Sequence, residues 1–383
     1  MGRHARRGVL IGSVGVLIAL SGCGVSREST QALRGASPRV LSSRQALVSR
    51  RSSFISLWPA CACGKRTVLE QFSLKDGRRL RALATVPTGP GKDVADPHSD
   101  SHGGVWITSS TGPRCTSGIS GCGPAPNSCS GSAVRFDPAA HSSATELTFP
   151  RSMLVTSTVP SPRGDRVVMS AGGCATSFFN QHLVVRVLRS GRHWTIGADA
   201  APCHALGEPA WSPDGAELLF PYGPSVLAPH THVRGGTCRA PRFNRLAVVL
   251  AGRSSRTTTW KLIKAEHGCS YQAATFDRWG IAAIEGCVQG EPRGEYSVNG
   301  GNAYLVQLNP RHHVVLRLEL ARGYNTGDIV NDPRTGTVLV SEYQAANQGI
   351  PVFNWVWAFD GHALRTVRRF PNVDAPSVIA EPW

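Results

Sequence analysis

Short apolar runs broken by tight-turn chemistry recur along this chain, and any fold it adopts must accommodate that rhythm. The best-formed example is PAWSPDGAELLFPYG at residues 209–223. Within it, Ser212-Pro213-Asp214-Gly215 has the chemistry of a strand-to-strand turn. Pro fixes φ at the second position, Asp caps the local backbone, and Gly takes a conformation that a side chain would strain. Related stretches are VPSPRGDRVVM at 159–169, ATFDRWGIAAI at 274–284 and IVNDPRTGTVLV at 329–340; they put Gly164, Gly280 and Gly336 where Gly215 stands. Between them lie longer hairpins: AVRFDPAAHSSATELTF, LVVRVLRSGRHWTIG, LAVVLAGRSSRTTTWKL, AYLVQLNPRHHVVLRLEL and VWAFDGHALRTVRRF. The unit is two strands about a tight turn, a variable loop, then two more strands. Few long helical patterns interrupt it, which argues for an all-β chain.

Four antiparallel strands repeated every fifty-odd residues predict the blades of a β-propeller. The WSPDG stretch resembles the TolB-type (WD40-like) propeller repeat, in which it joins the first and second strands of a blade. The good match covers residues 209–221, the other copies are degenerate, and the resemblance implies a propeller over residues 52–383. Five complete blades start near Gly103, Val159, Glu208, Ala273 and Ile329. At the end, APSVIAEPW supplies one first strand; at the beginning, SSFISLW, TVLEQFSL and RRLRALATV supply a second, third and fourth. One blade shared by both termini closes the ring and removes open sheet edges. Six blades result, or seven if residues 112–132 hide further strands.

The start of the chain carries an address. Arg3, Arg6 and Arg7 precede an apolar stretch from Gly8 to Leu20 that is too short to span a bilayer and reads as an export signal. It ends in Leu20-Ser21-Gly22-Cys23, which resembles the lipobox of bacterial lipoproteins, where diacylglycerol is attached to the Cys thiol and the chain is cut in front of it. Arg-rich, Gly- and Ala-rich usage is similar to that of actinobacterial proteins. The expected organisation is a signal peptide at 1–22, a lipidated Cys23 with a flexible basic tether to residue 51, and the propeller at 52–383. That places the protein on the outer face of the cytoplasmic membrane, held by its lipid. The formal net charge is +16, yet the basic residues are scattered and the chain carries an export signal, which argues against nucleic acid as a partner.

Ten cysteines remain after Cys23: Cys61, Cys63, Cys115, Cys122, Cys129, Cys174, Cys203, Cys238, Cys269 and Cys287. In an exported chain they predict disulfides. By the blade assignment, all ten fall in the two loop classes that emerge on one face, opposite the tight turns. Cys269 with Cys287, flanking one hairpin, is a plausible pair, as is Cys203 with Cys174 or Cys238. The longer loops share that face, so it is the expected working surface. Its binding candidates are Tyr222, Arg293, Tyr296, Asn302, Glu342, Tyr343 and Asn347. Weak metal-ligand candidates are His98, Asp100 and His102 in DPHSDSH, and His230 and His232; both stretches are expected in loops of the same face.

No nucleophile elbow, phosphate-binding loop or dinucleotide fingerprint occurs. No catalytic residue, cofactor or resident metal is assigned. The sequence reading is a monomeric, lipid-anchored propeller that acts as a protein- or ligand-binding scaffold at the cell envelope, with an envelope protein or polymer as its partner. The alternative is an exported propeller hydrolase or lyase working at the channel mouth, which requires acidic and His side chains from several blades to converge.

Overall fold

In the computed structural model the described residues are 53–59, 66–87, 92–111, 130–140, 142–173, 181–200, 204–224, 243–287, 302–320, 325–332, 335–343, 353–371 and 377–380. They form six antiparallel sheets arranged as a six-blade β-propeller. Blade 1 contains β1 (Ser53–Pro59), β2 (Arg66–Ser73) and β3 (Arg79–Pro87). Blade 2 is β4 (Lys92–Ser99), β5 (Val105–Thr111), β6 (Ser130–Asp137) and β7 (Ser142–Thr148). Blade 3 is β8 (Met153–Pro160), β9 (Arg166–Gly173), β10 (His182–Val187) and β11 (His193–Ile196). Blade 4 has a divided inner strand, β12 (Ala205–Leu206) and β13 (Ala210–Trp211), followed by β14 (Glu217–Gly223), β15 (Arg245–Leu250) and β16 (Lys261–Lys264). Blade 5 is β17 (Cys269–Asp277), β18 (Gly280–Cys287), β19 (Asn302–Leu308) and β20 (Val314–Glu319). Blade 6 is β21 (Asn325–Asn331), β22 (Val338–Tyr343), β23 (Phe353–Phe359) and β24 (Leu364–Pro371). The last strand, β25 (Ser377–Ala380), pairs with β1, so blade 1 has the order β25-β1-β2-β3 and both ends of the chain close the ring.

Each central strand buries both of its faces, which is why it reads as a continuous apolar run. In β14, Leu218 and Phe220 pack toward blade 3, while Leu219 between them packs toward blade 5. The period-two geometry of a strand forces that alternation. The same arrangement recurs around the ring, with an apolar cluster at each of the six blade interfaces. Trp106, Trp211 and Trp260 are all buried at these seams. Trp211 also donates from Nε1 to the Val159 carbonyl of blade 3 at 3.0 Å, so the Trp of the repeat ties one blade to the next.

Tight turns between first and second strands, and between third and fourth, share one face. The other two connection classes share the opposite, long-loop face. In the WSPDG turn, the Ser212 hydroxyl donates to Asp214 Oδ1 at 2.6 Å and accepts from the Glu217 amide at 2.8 Å. Gly215 sits at φ +70°, the left-handed region that favours glycine. Ser161 and Asp165 repeat the device one blade earlier. The chain enters the propeller at Ser53, which pairs with Ser73 beside the β2–β3 turn and therefore lies on the tight-turn face.

Two sequence expectations change. Residues 92–99 are an inner strand, not a loop, so blade 2 begins at Lys92 rather than near Gly103. Asp96-Pro97 disguises it: Pro97 falls where the register with β5 slips between Ala95 and His98, and a bulge is one of the few interior places a strand tolerates proline. His98, Asp100 and His102 consequently lie at the tight-turn end of blade 2 and not on the long-loop face. Of the predicted disulfide cysteines, Cys269 and Cys287 are bonded across the start of β17 and the end of β18, on the long-loop face. Cys23, Cys61, Cys63, Cys115, Cys122, Cys129, Cys174, Cys203 and Cys238 lie outside the described residues.

Candidate functional site

The inner strands of blades 2 to 6 share a departure from regular pairing. Register slips by one residue between Ala95 and His98 in β4, Val155 and Ser157 in β8, Tyr271 and Ala273 in β17, and Thr326 and Ile329 in β21. In blade 4, Leu206 opposes Tyr222 and Ala210 opposes Leu219, so three residues face two and the inner strand is split at Gly207-Glu208-Pro209. A bulge re-aims side chains that a regular pleat would send into a neighbouring blade. Here it turns polar residues toward the channel: His98 just past the β4 bulge, Glu208 within the blade 4 bulge, and Asp328 within the β21 bulge. Local packing fixes each one. Gly207 lies against the Pro221 ring, where an added Cβ would come within 2.8 Å, and the Asp328 backbone amide donates to Ser341 Oγ at 2.7 Å.

These residues line a channel cavity of about 510 Å³. Its rim carries Ser101, Pro162 and Pro213, which belong to first-to-second strand turns, so it opens on the tight-turn face. Its walls are largely apolar and include Trp211, Phe276 and Ile329. His98 Nε2 meets Glu208 Oε1 at 2.5 Å, a contact that skips blade 3 and crosses from blade 2 to blade 4. The Glu208 side chain is 25% exposed and lines this cavity. Burial pushes its carboxyl up to about 7, because the channel disfavours the charged form.

Asp100 lies beside this site with a different task. Its carboxylate accepts from Arg135 Nε at 2.6 Å, Trp106 Nε1 at 3.1 Å, and the His102 and Gly104 amides at 2.9 and 2.8 Å. Burial raises its carboxyl, but the Arg135 guanidinium and the two amides outweigh that and hold it below the usual carboxylate range. With four donors engaged, Asp100 organises the β4–β5 turn and is not placed as a metal ligand alongside His98 and His102. His102 is exposed and packs over Gly164 of the next blade's turn.

The binding-face candidates scatter. Tyr222 is 8% exposed and makes an edge contact with Trp260, inside the blade 3–blade 4 core. Glu342 is fully buried and accepts from Trp357 Nε1 at 2.5 Å. Both sit one or two residues inside strand ends whose side chains turn inward, which corrects their reading as presented loop residues. Asn302 begins β19 and donates to the Tyr304 hydroxyl at 3.2 Å. Tyr343 ends β22. Arg293, Tyr296, Asn347, His230 and His232 lie outside the described residues. Among the described residues, one group of three potential ligands, Cys269, Glu285 and Cys287, comes within metal-binding distance, and its two thiols form the disulfide. Sequence reading did not select Glu208 or Asp328. Their one local signal is an acid beside Gly or Pro inside a strand-like run, in Gly207-Glu208-Pro209 and Gly327-Asp328.

No family model matches the sequence, and no curated protein matches it. Solved structures do match in fold. The acylaminoacyl peptidase of Pyrococcus horikoshii aligns with a TM-score of 0.39 at 11% identity, over 72% of this chain and 39% of that one. The chain thus spans well under half of the peptidase's length. The calcium-binding protein regucalcin of Agrobacterium tumefaciens aligns at 0.42 and 10% identity, over 78% of this chain and 84% of that one. Hydrazine synthase of Kuenenia stuttgartiensis aligns at 0.41 and 12% identity, over 78% and 74%.

Proposed function

We propose that this chain is exported, lipid-anchored through Cys23 at the outer face of the cytoplasmic membrane, and acts there as a binding propeller. The observation that carries the binding role is the channel cavity, a walled and mainly apolar space in which a few polar groups converge from different blades. Small-molecule sites have that composition. The anchor rests on the apolar stretch from Gly8 to Leu20 followed by Leu20-Ser21-Gly22-Cys23. The closed ring and the Cys269–Cys287 bond suit a domain that works outside the reducing cytoplasm. A monomer that engages an envelope protein or polymer through its rims is the fullest form of this reading.

The His98–Glu208 contact favours a second reading, an exported hydrolase or lyase. A carboxyl titrating near 7 beside an imidazole is suited to moving protons at neutral pH.

Two measurements on intact cells test the first reading. Cys23→Ser should move the protein from the membrane fraction to the soluble or secreted fraction; persistent membrane association overturns the anchor. Crosslinking followed by pull-down of the anchored protein should capture a defined envelope component. Reproducible substrate turnover that Glu208→Gln and His98→Gln both abolish would replace the binding reading with the enzymatic one.

A further inference from the structure

We propose that the seam between blades 1 and 6 makes a second, electrostatic contact with the membrane: a basic patch at the tight-turn face that rests on anionic lipid headgroups and turns the long-loop face outward. This deepens the anchor reading above and rests on it. The lipid holds the protein at the bilayer, and the patch sets which side faces it.

Basic side chains gather here because two blades supply them to one turn. The β2–β3 turn carries Lys75 and Arg78, both exposed, and Arg79 begins β3. Strand β24 of blade 6 packs against this turn: Arg365 Nη1 donates to the Leu74 carbonyl at 3.0 Å, and Arg368 Nη1 donates to the Gly77 carbonyl. A carbonyl accepts the hydrogen bond but does not neutralise the charge. The acids that meet these bases are Asp76, which accepts from the Arg78 amide at 3.1 Å, and Glu70, which pairs with Arg79 at 2.7 Å. Bases still exceed acids, and the excess is felt inside the seam. Burial and the Arg79 charge hold the Arg368 guanidinium below its ordinary value in spite of Glu70 and Asp76. A layer of anions relieves that repulsion.

The place of the patch selects the membrane as the source of those anions. Ser53, where the chain enters the propeller, pairs with Ser73 and takes a hydrogen bond from Gln71 Nε2 at 2.8 Å. The Ser73 carbonyl in turn accepts the Gly77 amide and closes the turn that carries the patch. The patch therefore lies at the foot of the segment that leads back to Cys23. That segment is itself basic, with Arg27, Arg34, Arg39, Arg44, Arg50 and Arg51 against Glu28. A flexible tether of about 28 residues has an r.m.s. span of about 30 Å, which keeps an anchored patch within reach of the headgroups. The screening length is about 8 Å at physiological salt, so only a face in contact with the surface gains from its charge. Each Lys or Arg that reaches an anionic surface strengthens binding about fivefold.

The test uses the lipidated protein, purified from membranes and reconstituted on vesicles of phosphatidylcholine alone or of phosphatidylcholine mixed with phosphatidylglycerol. An amine-acylating reagent and mass spectrometry give the labelling rate of Lys75 in the patch and of Lys264, an exposed lysine that ends β16 on the long-loop face. Anionic vesicles should slow the labelling of Lys75 about fivefold or more relative to neutral ones and leave Lys264 unchanged. Raising NaCl to about 1 M, where the screening length is about 3 Å, should abolish the difference. Arg78→Glu and Arg365→Glu should each remove most of the protection of Lys75. Near-UV circular dichroism checks that each variant is folded. Should Arg365→Glu, which loses the bond to Leu74, fail to fold, Arg78→Glu at its exposed turn position decides the matter. Equal Lys75 rates on both kinds of vesicle, equal slowing of Lys264, slowing that survives the salt, or slowing indifferent to Arg78→Glu overturns the proposal. So does protection of Lys75 in intact cells but not on anionic vesicles, since the patch would then serve an anionic envelope polymer. A protein that carries no lipid on Cys23 removes the anchor reading and this inference together; a lipidated protein whose Lys75 is unprotected removes this inference alone.

Discussion

At the residue scale, two carboxyls close together in space, Asp100 and Glu208, have opposite pH behaviour. Asp100 is held low by Arg135 and two amides, so the stability it contributes is present above the unfolded value of about 3.8 and is lost as pH falls through its lower folded value. Asp100→Ala strands the Arg135 guanidinium and the Trp106 indole N–H, and should cost about 3–5 kcal/mol in urea unfolding at pH 7. Glu208 behaves in reverse. Its folded value near 7 exceeds the unfolded 4.5, so its contribution is complete below about pH 4.5 and disappears as pH rises through 7. Glu208→Gln mimics the protonated form. The melting temperature of the variant should therefore gain on that of the wild type between pH 4.5 and 8; parallel curves across that range would refute a raised Glu208. Neither role was legible in the sequence. DPHSDSH looks like alternating ligands, and only the fold shows that one acid is committed to a turn while the His beside it lines a channel.

At the element scale, turn glycines separate into strained and open positions. Gly280 follows the two-residue turn of the β17–β18 hairpin at φ +140°, and an added Cβ would lie 2.2 Å from the Leu308 carbonyl oxygen. Gly280→Ala should destabilise by about 1–3 kcal/mol or more, while Gly252→Ala, which meets nothing within 4 Å, should be close to neutral by the same chemical denaturation. Hairpins were the most legible part of the chain, because Pro-Asp-Gly and Asn-Pro turns and period-two apolar runs are local signals. The stretch at 92–99 was not legible, since Pro97 inside a strand looks like a break until its bulge is seen. Bulges depend on what the partner strand does, so the sequence carries them only as an odd Gly, Pro or acid. The residues that they aim into the channel were hidden for the same reason.

At the scale of the whole molecule, ring closure was readable from the leftover strands at each end. APSVIAEPW had no second strand to follow it, and SSFISLW had no first strand before it. Their union in blade 1 satisfies both. Removing Ser377–Ala380 leaves the long edge of β1 unpaired and deletes four backbone pairings, a loss of about 2–5 kcal/mol. The truncated protein should melt earlier and self-associate in size-exclusion chromatography, as exposed strand edges do. A monomer with unchanged melting would show that the remaining blades close without the last strand. The same pairing has a mechanical side. β1 is the first strand of the propeller, yet it is an interior strand of its sheet, with β2 along one edge and β25 along the other. A pull along the chain ahead of Ser53 thus cannot peel β1 away one hydrogen bond at a time. It loads two ladders together, so the point where a lipid anchor would tow the propeller is braced on both sides.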